Sequence, residues 1–160
     1  MVKKEIKTLM IEPGKHPVVT VLTDDLDSLQ KAVSIGADYQ GLIELIGIGN
    51  GACILCNEEG KLIGLEGNRR VGSDIIAGVF YIMSEGEDGD LVSLTEEKIK
   101  YYTEKFWEPE VFDSAELEPS VHVWFFCAKQ QKKNALGAGH SFFLTFLPVP
   151  PTDGTLPSHR

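Results

Sequence analysis

Hydrophobic and polar positions along the first part of the chain switch between a period of two and a period near 3.6. Residues 4–12 (KEIKTLMIE) alternate loosely, Pro13-Gly14 interrupts them, and residues 17–23 (PVVTVLT) are dense in β-branched side chains. Both runs read as strands, and the short break between them makes an antiparallel hairpin. Leu26, Leu29 and Val33 then fall at the i, i+3, i+7 spacing of one helical face. Asp24 or Asp25 supplies the N-cap, and Gly36 stands where a left-handed residue closes a helix. The stripe is expected to lay Leu26 and Leu29 on the sheet.

Residues 39–48 (YQGLIELIGI) are apolar enough for a central strand. The glycines at 47, 49 and 51 imitate a phosphate-cradling loop, but that loop needs a helix directly behind it. Another strand-like run, ACILC, follows instead, so a hairpin turn or bulge is the better reading. Asn57-Glu58-Glu59-Gly60 predicts a second hairpin, with Gly60 at positive φ and residues 61–65 as the return strand. Beyond the basic corner at 67–72, residues 74–83 (DIIAGVFYIM) read as a buried strand or as the start of a helix capped by Ser73. Their β-branched and aromatic content favours the strand.

The clearest helix follows an acidic loop, EGEDGD. Ser93 or Thr95 caps it, Glu96 and Glu97 complement the dipole in its first turn, and Lys105 does so near its end. Ile99, Tyr102 and Phe106 form its buried stripe, Tyr101 and Trp107 stay partly exposed, and Pro109 stops it. Residues 111–119 are acidic and loop-like, 121–128 (VHVWFFCA) and 141–147 (SFFLTFL) read as strands, and 129–139 form a basic connector. The predicted organisation is a single α+β domain, an antiparallel or mixed sheet of five to six strands with two helices. Residues 1–109 form the core and residues 110–147 a C-terminal aromatic β-hairpin extension, which either extends the sheet or faces a partner. Residues 148–160, rich in proline, form a disordered tail.

Composition narrows the function. The 160 residues suit one domain, and the formal net charge of −9 is unevenly spread. Residues 1–120 hold 11 Lys/Arg against 23 Asp/Glu, and residues 121–160 hold 4 against 1. The acidic part repels nucleic-acid phosphate, so no nucleic-acid partner is expected. No apolar run approaches the roughly eighteen residues of a membrane span, and MVKKEIK has no apolar signal region behind it. A cytoplasmic protein without a membrane partner is the expectation.

Cys53 and Cys56 form a C-x-x-C, but residues three apart on a strand point to opposite faces and share neither metal nor disulfide. Nor is there a second C-x-x-C or an H-x-x-H. Structural cysteines, with no metal and no cofactor, are expected. The acidic loop lacks EF-hand spacing and its closing glutamate. No G-x-S-x-G, Walker or H-E-x-x-H motif occurs, and His16, His122, His140 and His159 are scattered. Cys127 with His122 or His140 is the remaining thiol-base pairing, and nothing in the spacing brings them together. No catalytic residue is expected.

Two binding surfaces remain. Asn68, Arg69, Arg70 and Asp74 supply the chemistry of a bidentate site for a small, nucleotide-like anion, or else a solvated loop in which an arginine pairs with Asp74 or a nearby glutamate. Glu85, Glu87 and Asp88, with the aromatic residues Trp107, Trp124 and Phe126, are the candidates for contact with a protein.

The segments IKTLMIEPGKHP, DLDSLQKAV, CNEEGKLIGLEGNRR, DIIAGVFYI and SLTEEKIKYY, in this order, resemble the domain-of-unknown-function family 3846 over about residues 4–107. The resemblance implies a compact α+β domain and an origin in phages, plasmids and integrative elements of Gram-positive bacteria. It implies no catalytic residue. Small proteins of such elements often bind and disable host defence components, which makes a host protein the expected partner and the anionic ligand the alternative.

Overall fold

The structure, a computed structural model, describes residues 2–118. The strands expected at 121–128 and 141–147, the connector and the tail lie outside the described residues, as do Trp124, Phe126, Cys127, His122 and His140. The elements are β1 (Glu5–Ile11), β2 (Val18–Thr23), α1 (Leu26–Val33), β3 (Ile43–Gly49), β4 (Ala52–Asn57), β5 (Gly67–Val71), β6 (Asp74–Ala77), β7 (Phe80–Glu85), β8 (Leu91–Val92) and α2 (Glu96–Lys105). A six-stranded sheet runs β2-β1-β7-β4-β3, with β8 on β7, and β5 and β6 make a separate two-stranded ribbon. Every pairing is antiparallel. The α+β class, the two helices and the strand number agree with the sequence.

The core sits on both faces of this sheet. Every residue of β4 is buried, and alternation divides its side chains between two clusters. Ala52, Ile54 and Cys56 pack with Leu9, Ile11, Phe80 and Ile82 beneath Tyr102 of α2 and Phe106 at its C-cap. Cys53 and Leu55 pack with Ile6, Tyr81 and Met83 beneath Leu29 and Val33 of α1. A strand covered on both faces reads as a continuous apolar run, as ACILC does. Each fully buried aliphatic side chain contributes about 1.5–3 kcal/mol.

The helix caps follow the sequence closely. Asp25 Oδ1 accepts from the Ser28 N–H at 3.0 Å, and Thr95 Oγ1 accepts from the Lys98 N–H at 3.3 Å. The β3–β4 turn contains the expected bulge, a register shift between Gly47 and Gly49.

Six expectations are corrected. Residues 39–48 do not supply a central strand, because β3 is the outer strand of the sheet and Leu45 is 50% exposed. Residues 61–65 are not a return strand, since β4 already has β3 on one side and β7 on the other and offers no free edge. Those residues coil through turns held by Ile63 N–H to Glu59 O at 3.0 Å and Leu65 N–H to Gly60 O at 2.9 Å. It is Gly64, at φ 74°, that takes the left-handed conformation there, not Gly60. The corner at 67–72 is not a loop but β5 and the turn into β6. The run 74–83 is two strands broken at Gly78, whose φ of 84° and whose contact with Leu65 leave no room for a side chain. Finally, Leu26 is 61% exposed, because α1 has only eight residues and turns Leu29 and Val33 inward instead.

Leu29→Ala is therefore expected to lower stability by about 2–4 kcal/mol, against less than about 0.5 kcal/mol for Leu26→Ala. Urea unfolding of the two variants checks this, and equal losses would contradict the observed face of α1.

Candidate functional site

Asn68 and Arg69 are adjacent in β5, yet both are fully buried. A register shift between Gly67 and Arg69 makes this possible, since a bulge lets neighbouring residues turn to the same side. The Asn68 side-chain amide donates to the carbonyls of Ile11 and Gly78, both at 2.8 Å. Arg69 Nε donates to the Phe106 carbonyl at 3.1 Å, and Nη1 to the Asn68 carbonyl and to Asn68 Oδ1, each at 3.0 Å. Nη2 donates to the Lys15 carbonyl at 2.8 Å. These bonds join the end of β1, the β1–β2 turn, the break before β7 and the last turn of α2. The Phe106 carbonyl is among those left unpaired where α2 ends, and a cation is the favoured group there.

Among the described residues, all the acceptors of Arg69 are neutral oxygens. Burial lowers its pKa, while the charges of Glu110 and Glu108 act the other way. The β1–β2 turn is fastened a second time by His16. Its ring stacks on Trp107 at a centroid distance of 4.1 Å, and Nδ1–H donates to the Trp107 carbonyl at 2.7 Å. Trp107 keeps its partial exposure while serving this contact.

The other two residues of the expected anion site point elsewhere. The Arg70 guanidinium is exposed, pairs with Glu116 at 3.1 Å and lies 5.5 Å from the Phe112 ring centroid. Asp74 pairs with Lys61 and accepts from the Ile75 N–H at 2.8 Å. Asn68, Arg69, Arg70 and Asp74 therefore do not converge on a ligand. The solvated-loop reading also fails at Arg69, whose donors are spent on backbone carbonyls and Asn68. The acidic segment 108–118 covers the ribbon, with Phe112 and Leu117 seated against Gly67.

Between β7 and β8 the acidic loop is a defined turn. Gly86 N–H donates to the Asp90 carbonyl at 2.8 Å, Gly89 N–H to the Gly86 carbonyl at 3.1 Å, and Asp90 pairs with Lys4 at 3.1 Å. Glu85, Glu87 and Asp88 are exposed and make no ion pair among the described residues. No group of three or more His, Cys, Asp or Glu residues suited to a metal occurs among the described residues. Cys53 and Cys56 face opposite sides of the sheet, as their spacing requires, and both are buried and free. Burial raises both thiols, Cys56 up to about 12.

The exposed surface of β2 was not anticipated as a site. Val18, Val19 and Val21 stand about half exposed, and the signal in the sequence is the absence of any charge from Val18 to Thr23. No helix among the described residues is long and apolar enough to cross a membrane.

This geometry defines a class first: a small α+β domain whose most distinctive polar pair, Asn68-Arg69, is a structural clasp. The chain belongs to the family named Domain of unknown function (DUF3846), whose model matches residues 6–107. No curated protein and no solved structure matches it. The matched range ends at Trp107, the residue that His16 holds beside the clasp.

Arg69→Met leaves the carbonyls of Lys15 and Phe106 without donors and is expected to cost about 3 kcal/mol in urea unfolding. Arg69→Lys should recover little, since one ammonium nitrogen cannot span the separated carbonyls. Arg70→Ala should cost about 1 kcal/mol or less. Comparable losses at 69 and 70 would remove the clasp from the account of the fold.

A second expectation concerns pH. Cys56 ionises near 12 in the folded state against an ordinary 9.0, so between these values the unfolded chain binds fewer protons and stability falls as pH rises. Urea midpoints measured from neutrality to pH 10 should decline above about pH 9. The decline should be shallower in a C53A/C56A variant, and identical slopes would show that the buried thiols play no part.

Proposed function

We propose that this protein is a non-catalytic accessory factor of a phage or mobile element that binds a host protein in the cytoplasm through its acidic surface. The observation that carries the reading is the β7–β8 turn. Its backbone is held by its own hydrogen bonds and by the Lys4–Asp90 pair, and Glu85, Glu87 and Asp88 are exposed and form no ion pair among the described residues. A cluster of carboxylates on a hydrogen-bonded turn attracts a basic surface, speeds encounter and loses little conformational freedom on binding. The membership in DUF3846 supports the mobile-element context by resemblance only. The anionic-ligand reading is not preferred, since Arg70 alone of its four residues retains an exposed cation, already paired with Glu116.

The test is affinity capture from a Gram-positive host lysate, at low and high salt, with the wild type and with an E85K/E87K/D88K variant. The wild type should retain a discrete host protein in a salt-sensitive manner. The variant should lose it at an unchanged melting temperature. Retention by both proteins would remove the acidic turn as the contact, and capture of nothing by the wild type would remove the protein-directed reading itself.

A further inference from the structure

Asn68 and Arg69 of β5 turn inward to the clasp, while Gly67 and Arg70 meet the acidic segment that follows α2. A β-carbon added at Gly67 would lie 2.8 Å from Phe112 Cδ2 and 2.9 Å from Leu117 Cδ2, so the glycine leaves a seat for those two side chains. Close approach, not a left-handed backbone, calls for glycine here. Beside the seat the Arg70 guanidinium pairs with Glu116 at 3.1 Å and lies 5.5 Å from the Phe112 ring centroid. The Arg70 N–H donates to Glu110 Oε1 at 3.2 Å.

The covering segment carries Glu108, Glu110, Asp113, Glu116 and Glu118 and no Lys or Arg, so its charge complements Arg70. A turn of its own shapes it. Glu116 N–H donates to the Asp113 carbonyl at 3.0 Å, Leu117 N–H to the Ser114 carbonyl at 3.3 Å, and Asp113 N–H to Glu116 Oε2 at 3.0 Å. Among the described residues, no backbone–backbone hydrogen bond joins residues 108–118 to the sheet or to the ribbon. Two apolar side chains and two carboxylates hold the segment down. The Arg70–Glu116 pair is nearly half exposed on both sides, Val111 is 95% exposed, and an ion pair in such contact with water contributes little. A segment held this lightly opens locally while the domain stays folded. The seat lies within the family match, and its occupant lies beyond the end of that match at residue 107.

We propose that the Gly67–Arg70 surface of β5 is a docking site for an acidic segment of the pattern E-x-F-x-x-x-E-L, and that residues 110–117 fill it in cis as a strap that opens without unfolding the domain. The phenylalanine takes the glycine seat and the guanidinium face, the second glutamate takes the charge of Arg70, and the leucine closes the seat from the other side. A partner's segment of the same chemistry competes for this surface. The tether keeps the strap at a high effective concentration, so such a segment enters when it brings further contacts or when the strap is weakened.

The experiment uses the full chain, with amide hydrogen exchange and a titration with the peptide of residues 108–118. In the wild type the Glu116 and Leu117 amides should exchange at least about a hundredfold faster than Ile54 of β4 and with little dependence on denaturant. Gly67→Ala, which crowds the seat and leaves the strap's sequence intact, should speed them further. Added peptide should shift the Gly67 and Arg70 amide resonances of an F112A/L117A variant saturably, and the wild type should need at least about tenfold more peptide for the same shift. Adding R70E to that variant, or replacing the phenylalanine of the peptide by alanine, should abolish the shift. Strap amides that exchange together with β4 would make the segment an integral part of the fold and overturn the proposal, as would an F112A/L117A variant that fails to fold. A folded F112A/L117A variant that ignores the peptide would overturn it as well, and so would binding that survives R70E.

Discussion

The described domain depends on one buried guanidinium held by uncharged oxygen. Burying a cation is costly unless its donors are met, and Arg69 meets the cost with the carbonyls of Lys15, Asn68 and Phe106 and the Asn68 side chain. These acceptors lie in the β1–β2 turn, in β5 and at the end of α2, elements far apart along the chain. One side chain thereby fastens the ribbon and the helix terminus to the edge of the sheet. Since no carboxylate among the described residues is bonded to it, protonation at low pH leaves these bonds in place, and salt screens them little.

The sheet sets the second constraint. β4 and β7 are flanked on both sides, and their two faces are covered by α1 and by α2 with the β5–β6 ribbon. The middle of the sheet thus has no free hydrogen-bonding edge and little exposed side-chain surface. Among the described residues, what remains for contact with other molecules is the outer strands and the loops at the strand ends. The carboxylates of the β7–β8 turn and the uncharged edge of β2 both belong to that remainder. The turn can draw a basic surface from a distance, and the edge can only be paired at contact, so the two make different demands on a partner.

Much of the local structure was legible in the sequence. The β1–β2 hairpin, the two helices with their Asp25 and Thr95 caps, the Gly47 to Gly49 bulge and the separation of Cys53 from Cys56 rest on short-range rules of period, capping and turn chemistry. The candidate site was legible only as a set of residue types. Asn68 and Arg69 carry the polarity of a binding corner, but whether such groups face solvent or backbone depends on a bulge formed with β6 and on carbonyls contributed from residues 15 and 106.

By itself, then, the sequence determined the α+β class, most element positions, the helix ends and the acidic character, because neighbours along the chain decide those properties. The tertiary structure decided which strand took the edge, why residues 61–65 had no strand to pair with, how the run 74–83 broke at Gly78 and where Arg69 spent its donors. Each of these is a competition for a partner distant in sequence. A strand pairs with whatever edge is free, and a buried donor bonds whatever carbonyl folding brings within 3 Å or so, so neither outcome is contained in local periodicity.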